Sequence, residues 1–292
     1  MKKLILIITA IAFMSSCKNS SNQQKEEPLN PKLVEYHERA KEVFDRPAIP
    51  SEISILLKSS GAPLMAELMH DPSAWKKFAN DQTSAAANMG VYLADALVFY
   101  AYDSIRLSYN SAMAGKSLAE VIGIDESVFR GYLEDRYIYD RQADSLFFVL
   151  YAAMARADNS LSSNERFRLL SALYVGNFIE KMYIVSNIIF SSQVDLPDEP
   201  KLLLQREMML VMKYFLYRLD YIIELVEEVS INEEGKYLLN DLKILKEMYV
   251  EHMYTDEELY KLKAYEIFEN EGLLGMHELI GNMRNFIVTP GK

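Results

Sequence analysis

The chain has 292 residues, 50% of them hydrophobic, a formal net charge of -11 at pH 7 and a single cysteine, Cys17. That length and apolar content can bury a large core in one or two domains. An acidic surface repels phosphate, which argues against nucleic acid and anionic lipid headgroups as direct partners, and one cysteine excludes an internal disulfide framework.

The first residues bear on the compartment. Met1 to Lys3 is a short basic start, Leu4 to Phe13 is an apolar run too short to span a bilayer, and MSSC places small residues immediately before Cys17. This resembles a bacterial lipoprotein signal with its lipobox. The resemblance implies removal of residues 1–16, a thioether-linked diacylglycerol on the Cys17 sulfur and an amide-linked third acyl chain such as palmitate. Several acyl chains hold a protein stably at a membrane where one would not. With Cys17 acylated, neither a disulfide nor a zinc thiolate site is left. Residues 17–30 are polar, poor in apolar side chains and closed by Pro28, and read as the acylated cysteine followed by a flexible tether. Residues 31–292 read as an all-helical domain.

From Pro31 the pattern is helical, and glycine and proline are scarce, 11 and 9 in the whole chain. PKLVEYHERAKEVF predicts a first helix, and residues 46–81, interrupted by Pro47, Pro50, Gly61, Pro63 and Pro72, predict short helices broken by turns. Ser84 to Leu107, SAAANMGVYLADALVFYAYDSIRL, is apolar almost all the way round and predicts a central helix buried on nearly every side. Gly115 then predicts a break, with Ser117 to Glu120 as the capping box of a short helix. Asp125 predicts the cap of a long helix reaching Arg156, and Ser162 to Glu165 opens another that ends near Phe190. Asp198 predicts a cap, and Pro200 a first turn, for a helix of about seven turns through Val229. EEGKYLLNDLKILKEMYVEHM, TDEELYKLKAYEIFENEG with a capping box from Thr255 to Glu258, and LLGMHELIGNMRNFIV predict three more. There is no strand-like alternation and no repeat of fixed period. The expected fold is an all-α multi-helix bundle of about eight to ten mostly antiparallel helices, with residues 195–200 as the best place for a sub-domain boundary.

The central helix carries one polar line. At about 100° per residue, Asn88, Tyr92, Asp95, Tyr102 and Arg106 fall within roughly a quarter of the circumference, and buried polar groups need partners. A matching stripe of Asn177, Glu180 and Asn187 runs along ALYVGNFIEKMYIVSNIIF. If the two face each other, Asn88, Tyr92, Asp95, Asn177, Glu180 and Tyr183 either line a buried pocket for a cation or small polar ligand, or form a structural network that fixes helix register. In the first case Asp95 and Glu180 are an acid/base pair. In the second, which is favoured, Arg106 or tyrosine hydroxyls satisfy the acids. Gly90 and Gly176 sit inside helices, where glycine costs about 1 kcal/mol, and close helix packing is the expected compensation.

Other chemistry has little support. The four histidines, His37, His70, His252 and His277, are scattered. Only Glu67 and His70 make a Glu-x-x-His spacing, which a di-iron bundle needs twice. No metal, cofactor or catalytic residue is expected, since GxSxG and Gly-rich phosphate loops are also missing. The Met and Tyr residues of MMLVMKYFLYRLDY fit a partner or lipid groove, or more simply core.

Three segments together resemble an uncharacterised family of Bacteroidota lipoproteins: NMGVYLADALVFY from Asn88, with its Asn-x-Gly-Val-Tyr-x-x-Asp; ADSL from Ala143; and VGNFIEKMY from Val175. The family's helices read approximately NLGVYGADLSY, DSL and GGWIEGLY, in the same order. Here Asn177 and Phe178 replace Gly and Trp, and Lys181 and Met182 replace Gly-Leu. The family has no assigned activity, so the resemblance implies location and fold, with Asn88, Gly90, Tyr92, Asp95, Asp144, Gly176, Glu180 and Tyr183 as signature positions. The expectation is an outer-membrane, lipid-anchored envelope protein that binds a protein partner or small ligand. The rivals are an enzyme built on Asp95 and Glu180, and a structural accessory subunit of an outer-membrane complex.

Overall fold

The computed structural model describes residues 61–124, 167–191, 197–229 and 233–289, all within one unit, Pro31–Lys292. Cys17, the tether, the first predicted helix, the helix capped by Asp125 and Asp144 lie outside the described residues. Among the described residues the fold is all-α, with no strand. Two short 3-10 segments, Ala66–Leu68 and Pro72–Phe78, precede α1 (Gln82–Ala101), α2 (Ile105–Val121), α3 (Phe167–Phe190), α4 (Asp198–Leu216), α5 (Leu219–Val229), α6 (Glu233–His252), α7 (Asp256–Lys261), α8 (Ala264–Glu269) and α9 (Glu271–Val288). No described helix is long and apolar enough to cross a membrane. One hydrophobic core runs from Ala62 to Ile287, and it includes residues on both sides of the 195–200 punctuation, so no boundary falls there.

The central helix is shorter than expected. It starts where the Asp81 carboxylate accepts the Ser84 amide at 2.7 Å, an N-cap that satisfies an otherwise orphan donor. It ends at Tyr102, because Asp103 adopts φ +57° and the amides of Asp103 and Ser104 return to the carbonyls of Tyr100 and Phe99, each at 2.9 Å. This is a Schellman turn with aspartate in the left-handed position usually held by glycine. Arg106 therefore belongs to α2 and is exposed, so it cannot satisfy the acids of the central helix. The same turn closes α2 at Gly123, φ +77°, with Ile124 N–H on the Ala119 carbonyl at 2.9 Å.

Gly115 does not break α2, which packs along α1: a Cβ there would meet Leu93 at an ordinary 3.7 Å. The Ser117 hydroxyl bonds back to the Met113 carbonyl at 3.1 Å, so the SLAE capping box is not formed. At α4 the N-cap is Pro197 and Asp198 is already helical. The predicted seven-turn helix bends at Tyr217 and Arg218, which keeps Leu216 and Leu219 both buried. TDEELYKLKAYEIFENEG forms two helices. Leu262 and Lys263 are extended between them, the Arg206 guanidinium takes the carbonyls of Tyr260 and Leu262 at 2.8 Å each, and Lys263 N–H restarts the chain on Glu266. The Thr255 to Glu258 capping box opens the first of the two.

Among the described residues, α1 packs against α3 backbone to backbone. A Cβ on Gly176 would lie 2.0 Å from the Ala87 carbonyl oxygen, and one on Gly90 would lie 2.2 Å from that of Leu173. Only glycine lets two helix backbones approach so far. Helix α9 lies against both, burying Leu273, Met276, Ile280, Met283, Arg284 and Ile287. Arginine is the one charged residue in that buried set.

Candidate functional site

Where α1, α3 and α9 meet, the structure brings Asp95, Glu180 and Arg284 together. The Asp95 and Glu180 side chains are 0% exposed. Arg284 meets Glu180 with two bonds, Nε to Oε2 at 3.0 Å and Nη2 to Oε1 at 3.3 Å, a fork geometry that suits a guanidinium and a carboxylate. Its guanidinium carbon also lies 4.8 Å from the centre of the Tyr183 ring, where the ring face attracts a cation. The Asp95 and Glu180 carboxyls approach within hydrogen-bonding reach of each other.

The segment ahead of α1 closes this cluster. Backbone N–H of His70 donates to Asp95 Oδ2 at 2.9 Å, Arg284 Nη2 donates to the Leu68 carbonyl at 3.3 Å, and the Tyr92 hydroxyl donates to the Asp71 carbonyl at 2.9 Å. Met69 and Asp71 are extended, so three backbone groups of Leu68 to Asp71 point at the helices. The His70 ring packs on Phe78 and Tyr92, with centroids 5.5 and 5.2 Å away. Glu67 is exposed. Among the described residues no group of three or more His, Cys, Asp or Glu side chains is placed to hold a metal ion.

The environment shifts these groups strongly. Burial, and then the Glu180 charge, hold the Asp95 carboxyl well above its ordinary range, against the opposing pull of the His70 amide and Arg284. Burial also raises Glu180, although Arg284 opposes it. For Arg284 burial works against the charged form, but the Glu180 charge and hydrogen bonds outweigh it and the guanidinium is held more firmly protonated. Burial and the nearby Arg284 charge push the His70 imidazole down to about 4. Burial raises the Tyr92 phenol, with Asp95 adding to it.

The remaining stripe residues are placed nearby but bond separately. Asn88 Nδ2 reaches the Ile287 carbonyl of α9 at 2.9 Å as well as its own helix at Ser84. Asn177 Nδ2 donates to the Gly90 carbonyl of α1 at 3.1 Å, a bond the glycine contact makes possible. Asn187 is not part of the facing stripe, since its amide donates to Tyr183 one turn back. Tyr102 donates to the Ala62 carbonyl, and burial takes its phenol up to about 12. Lys181 is buried one residue after Glu180, and burial together with Arg218 takes its ammonium down to about 7. Met208, Met209 and Met212 of the Met- and Tyr-rich run are core. His277 packs on Phe190 at 5.0 Å and its Nδ1 lies 3.3 Å from Ser186 Oγ.

Sequence reasoning missed Arg284 and the backbone of Leu68 to Asp71. A signal for Arg284 was present: it falls among Met276, Ile280, Met283 and Ile287, the apolar face of the last helix, where a charge needs a buried partner. Nothing comparable marks Leu68 to Asp71, which contribute through peptide groups that every residue has. Compared with protein-family models, with curated proteins and with solved structures, the chain matches none.

Proposed function

We propose that the chain is an acylated cell-envelope lipoprotein, anchored in the outer membrane through Cys17, whose all-α domain binds a partner and catalyses no reaction. The anchor rests on the basic start, the apolar run and the small residues before Cys17. The likeness of Asn88 to Asp95, Ala143 to Leu146 and Val175 to Tyr183 to the Bacteroidota lipoprotein segments supports the same assignment.

The observation that carries the non-catalytic part is the state of the stripe. Asn88, Asp95 and Glu180 are each 0% exposed, and their described partners are Arg284 and the backbones of neighbouring segments. A general acid or base must reach a substrate atom directly or through one water, and here helix backbones and the Leu68 to Asp71 segment stand in the way. Large apolar side chains lie on the outside instead: Leu203, Tyr217 and Tyr260 are 57, 81 and 66% exposed. An accessory or scaffold protein of the envelope fits this arrangement better than an enzyme built on Asp95 and Glu180. The paired buried carboxyls are the one feature favouring the enzyme, and it requires the Leu68 to Asp71 segment to move.

The test begins with Cys17→Ala. The variant should accumulate away from the membrane fraction, and one that still sediments with membranes would sink the lipoprotein assignment. Photo-crosslinkers at Tyr217 and Tyr260 should then capture one defined envelope protein in stoichiometric yield. Turnover of any substrate that is lost in Asp95→Asn would move the assignment to the enzyme.

A further inference from the structure

We infer that Asp95 and Glu180 together form a proton-binding site: one proton, carried on Asp95 and donated to Glu180, belongs to the folded protein at neutral pH and fastens the Leu68 to Asp71 segment over the cluster. Charge counting comes first. Two carboxyl groups with 0% exposure share a single described cation, the Arg284 guanidinium. With both ionised, the cluster would bury one uncompensated negative charge, which costs several kcal/mol after relaxation. One bound proton makes it neutral.

Donor counting gives the position of that proton. Both Glu180 oxygens accept from Arg284, and Asp95 Oδ2 accepts from the His70 amide. Asp95 Oδ1 is buried with no hydrogen-bond donor among the described residues, while the Asp95 and Glu180 carboxyls interact directly. A hydroxyl on Asp95 Oδ1 donating to Glu180 supplies the missing bond and leaves the charge on the carboxyl that Arg284 already grips. Among the described residues the titratable or charged groups facing the pair are Arg284 on α9 and Tyr92 on α1; Tyr183 on α3 lies against Arg284, and the exposed Asp71 and Lys77 ahead of α1 act on His70. His70 is pushed toward its neutral form, so it supplies no second cation at neutral pH.

The proton has a mechanical consequence. When it leaves for solvent, two adjacent carboxylates repel, and one of the surrounding elements must give. α1 and α3 cannot separate easily, because backbone touches backbone at Gly90 and Gly176. The half-buried segment from Leu68 to His70, held by single bonds to Asp95 and Arg284, is the soft side. Deprotonation therefore loosens the His70 amide first.

The experiment uses the full-length protein. An infrared spectrum at pH 7 should show the C=O stretch of a protonated carboxylic acid, shifting when aspartate is labelled with carboxyl-13C and absent in Asp95→Asn. Hydrogen exchange should give a His70 amide protection factor that drops at least tenfold as the pH is raised, whereas Asp95→Asn, whose amide donates to Glu180 without titrating, should hold its protection constant. The labelled wild-type spectrum does not depend on any variant folding. No aspartate-sensitive acid band at pH 7, or a His70 protection factor that is flat in the wild type, would overturn the inference.

Discussion

The seam between α1 and α3, which Arg284 of α9 closes, and the outer layer that α6 forms against α5 and the start of α9 use similar residues to opposite effect. In both places a glycine sits inside a helix against a neighbour. At the seam the neighbour is backbone: Gly176 faces the Ala87 carbonyl and Gly90 the Leu173 carbonyl. In the outer layer it is a side chain, His252 from its Cβ outward for Gly272 and the free Met248 methyl for Gly275. Charges divide the same way. Glu180 and Arg284 are buried and bonded on several sides, whereas Lys243 meets Glu227 at 2.6 Å with both side chains about half exposed, at 49 and 46%. A contact that cannot rearrange specifies a structure. One that can yield adds only a little stability.

The largest effect should come from breaking the seam. A methyl at Gly176 needs the space of a carbonyl oxygen 2.0 Å away, and helix backbones cannot rotate out of the way as side chains do. Overpacking a core costs about 1–3 kcal/mol where side chains can adjust, so Gly176→Ala should exceed that range and abolish a cooperative thermal transition. Gly275→Ala asks only the flexible end of the Met248 side chain, 2.6 Å from the new methyl, to swing aside and should cost under about 1 kcal/mol by the same measurement. Equal losses in the two variants would mean that the seam is no tighter than the outer layer.

The charge comparison comes next. Arg284→Met leaves the carboxyl pair buried without its cation and should cost about 3–5 kcal/mol in urea unfolding at neutral pH, against under about 1 kcal/mol for Lys243→Ala. Part of the Arg284→Met loss should be recovered in acid. The folded pair then has its pKa raised still further above the unfolded value, so stability is present at low pH and falls as pH rises through the folded pKa. A loss that is independent of pH would point to packing as the cause.

His70 has the opposite sign. Its imidazole, pushed down to about 4 from an ordinary 6.5, resists protonation in the folded state. Its contribution is complete above pH 6.5 and declines as pH falls through the window down to about 4. Replacing the ring with Phe keeps the backbone bond to Asp95 and the packing on Phe78 and Tyr92. His70→Phe should therefore raise the melting temperature at pH 5 relative to wild type while leaving it little changed at pH 8. A shift of equal size at both values would exclude histidine titration as its source.

Much of the seam was legible in the sequence because its constraints are local. An apolar run with a polar line, Asn88, Tyr92 and Asp95 at helical spacing, and two costly glycines at Gly90 and Gly176 each demand compensation that a reader can name. The all-α class followed from helical periodicity and scarce glycine and proline. What was not legible lies far away in the chain or in the backbone. Arg284 is 104 residues from Glu180, and local patterning put Arg106 forward instead because periodicity was carried through a turn that does not announce itself. The carbonyl of Leu68 and the amide of His70 carry no residue signature at all. The helix breaks at Tyr217 and at Leu262 were hidden for a related reason: buried Leu216 and Leu219 set the first, and the reach of Arg206 from α4 the second.

The smallest expected effect concerns that unannounced turn. α1 and α2 end in the same Schellman geometry, but the left-handed position holds Gly123 at the end of α2 and Asp103 at the end of α1. A side chain in that conformation carries a steric penalty of about 1 kcal/mol that glycine escapes, although aspartate bears it better than most residues. Asp103→Gly keeps the turn and its two hydrogen bonds and removes a penalty of up to about 1 kcal/mol, while giving up the contacts of the Asp103 side chain, so the shift in melting temperature sets one against the other. The added freedom of glycine in the unfolded chain offsets part of that relief. Gly123→Asp, the reciprocal change, should take on the same penalty. If Asp103→Gly destabilises, the Asp103 side chain is itself holding the chain reversal between α1 and α2, and the arrangement that removes Arg106 from the central helix depends on that carboxylate as well as on the backbone.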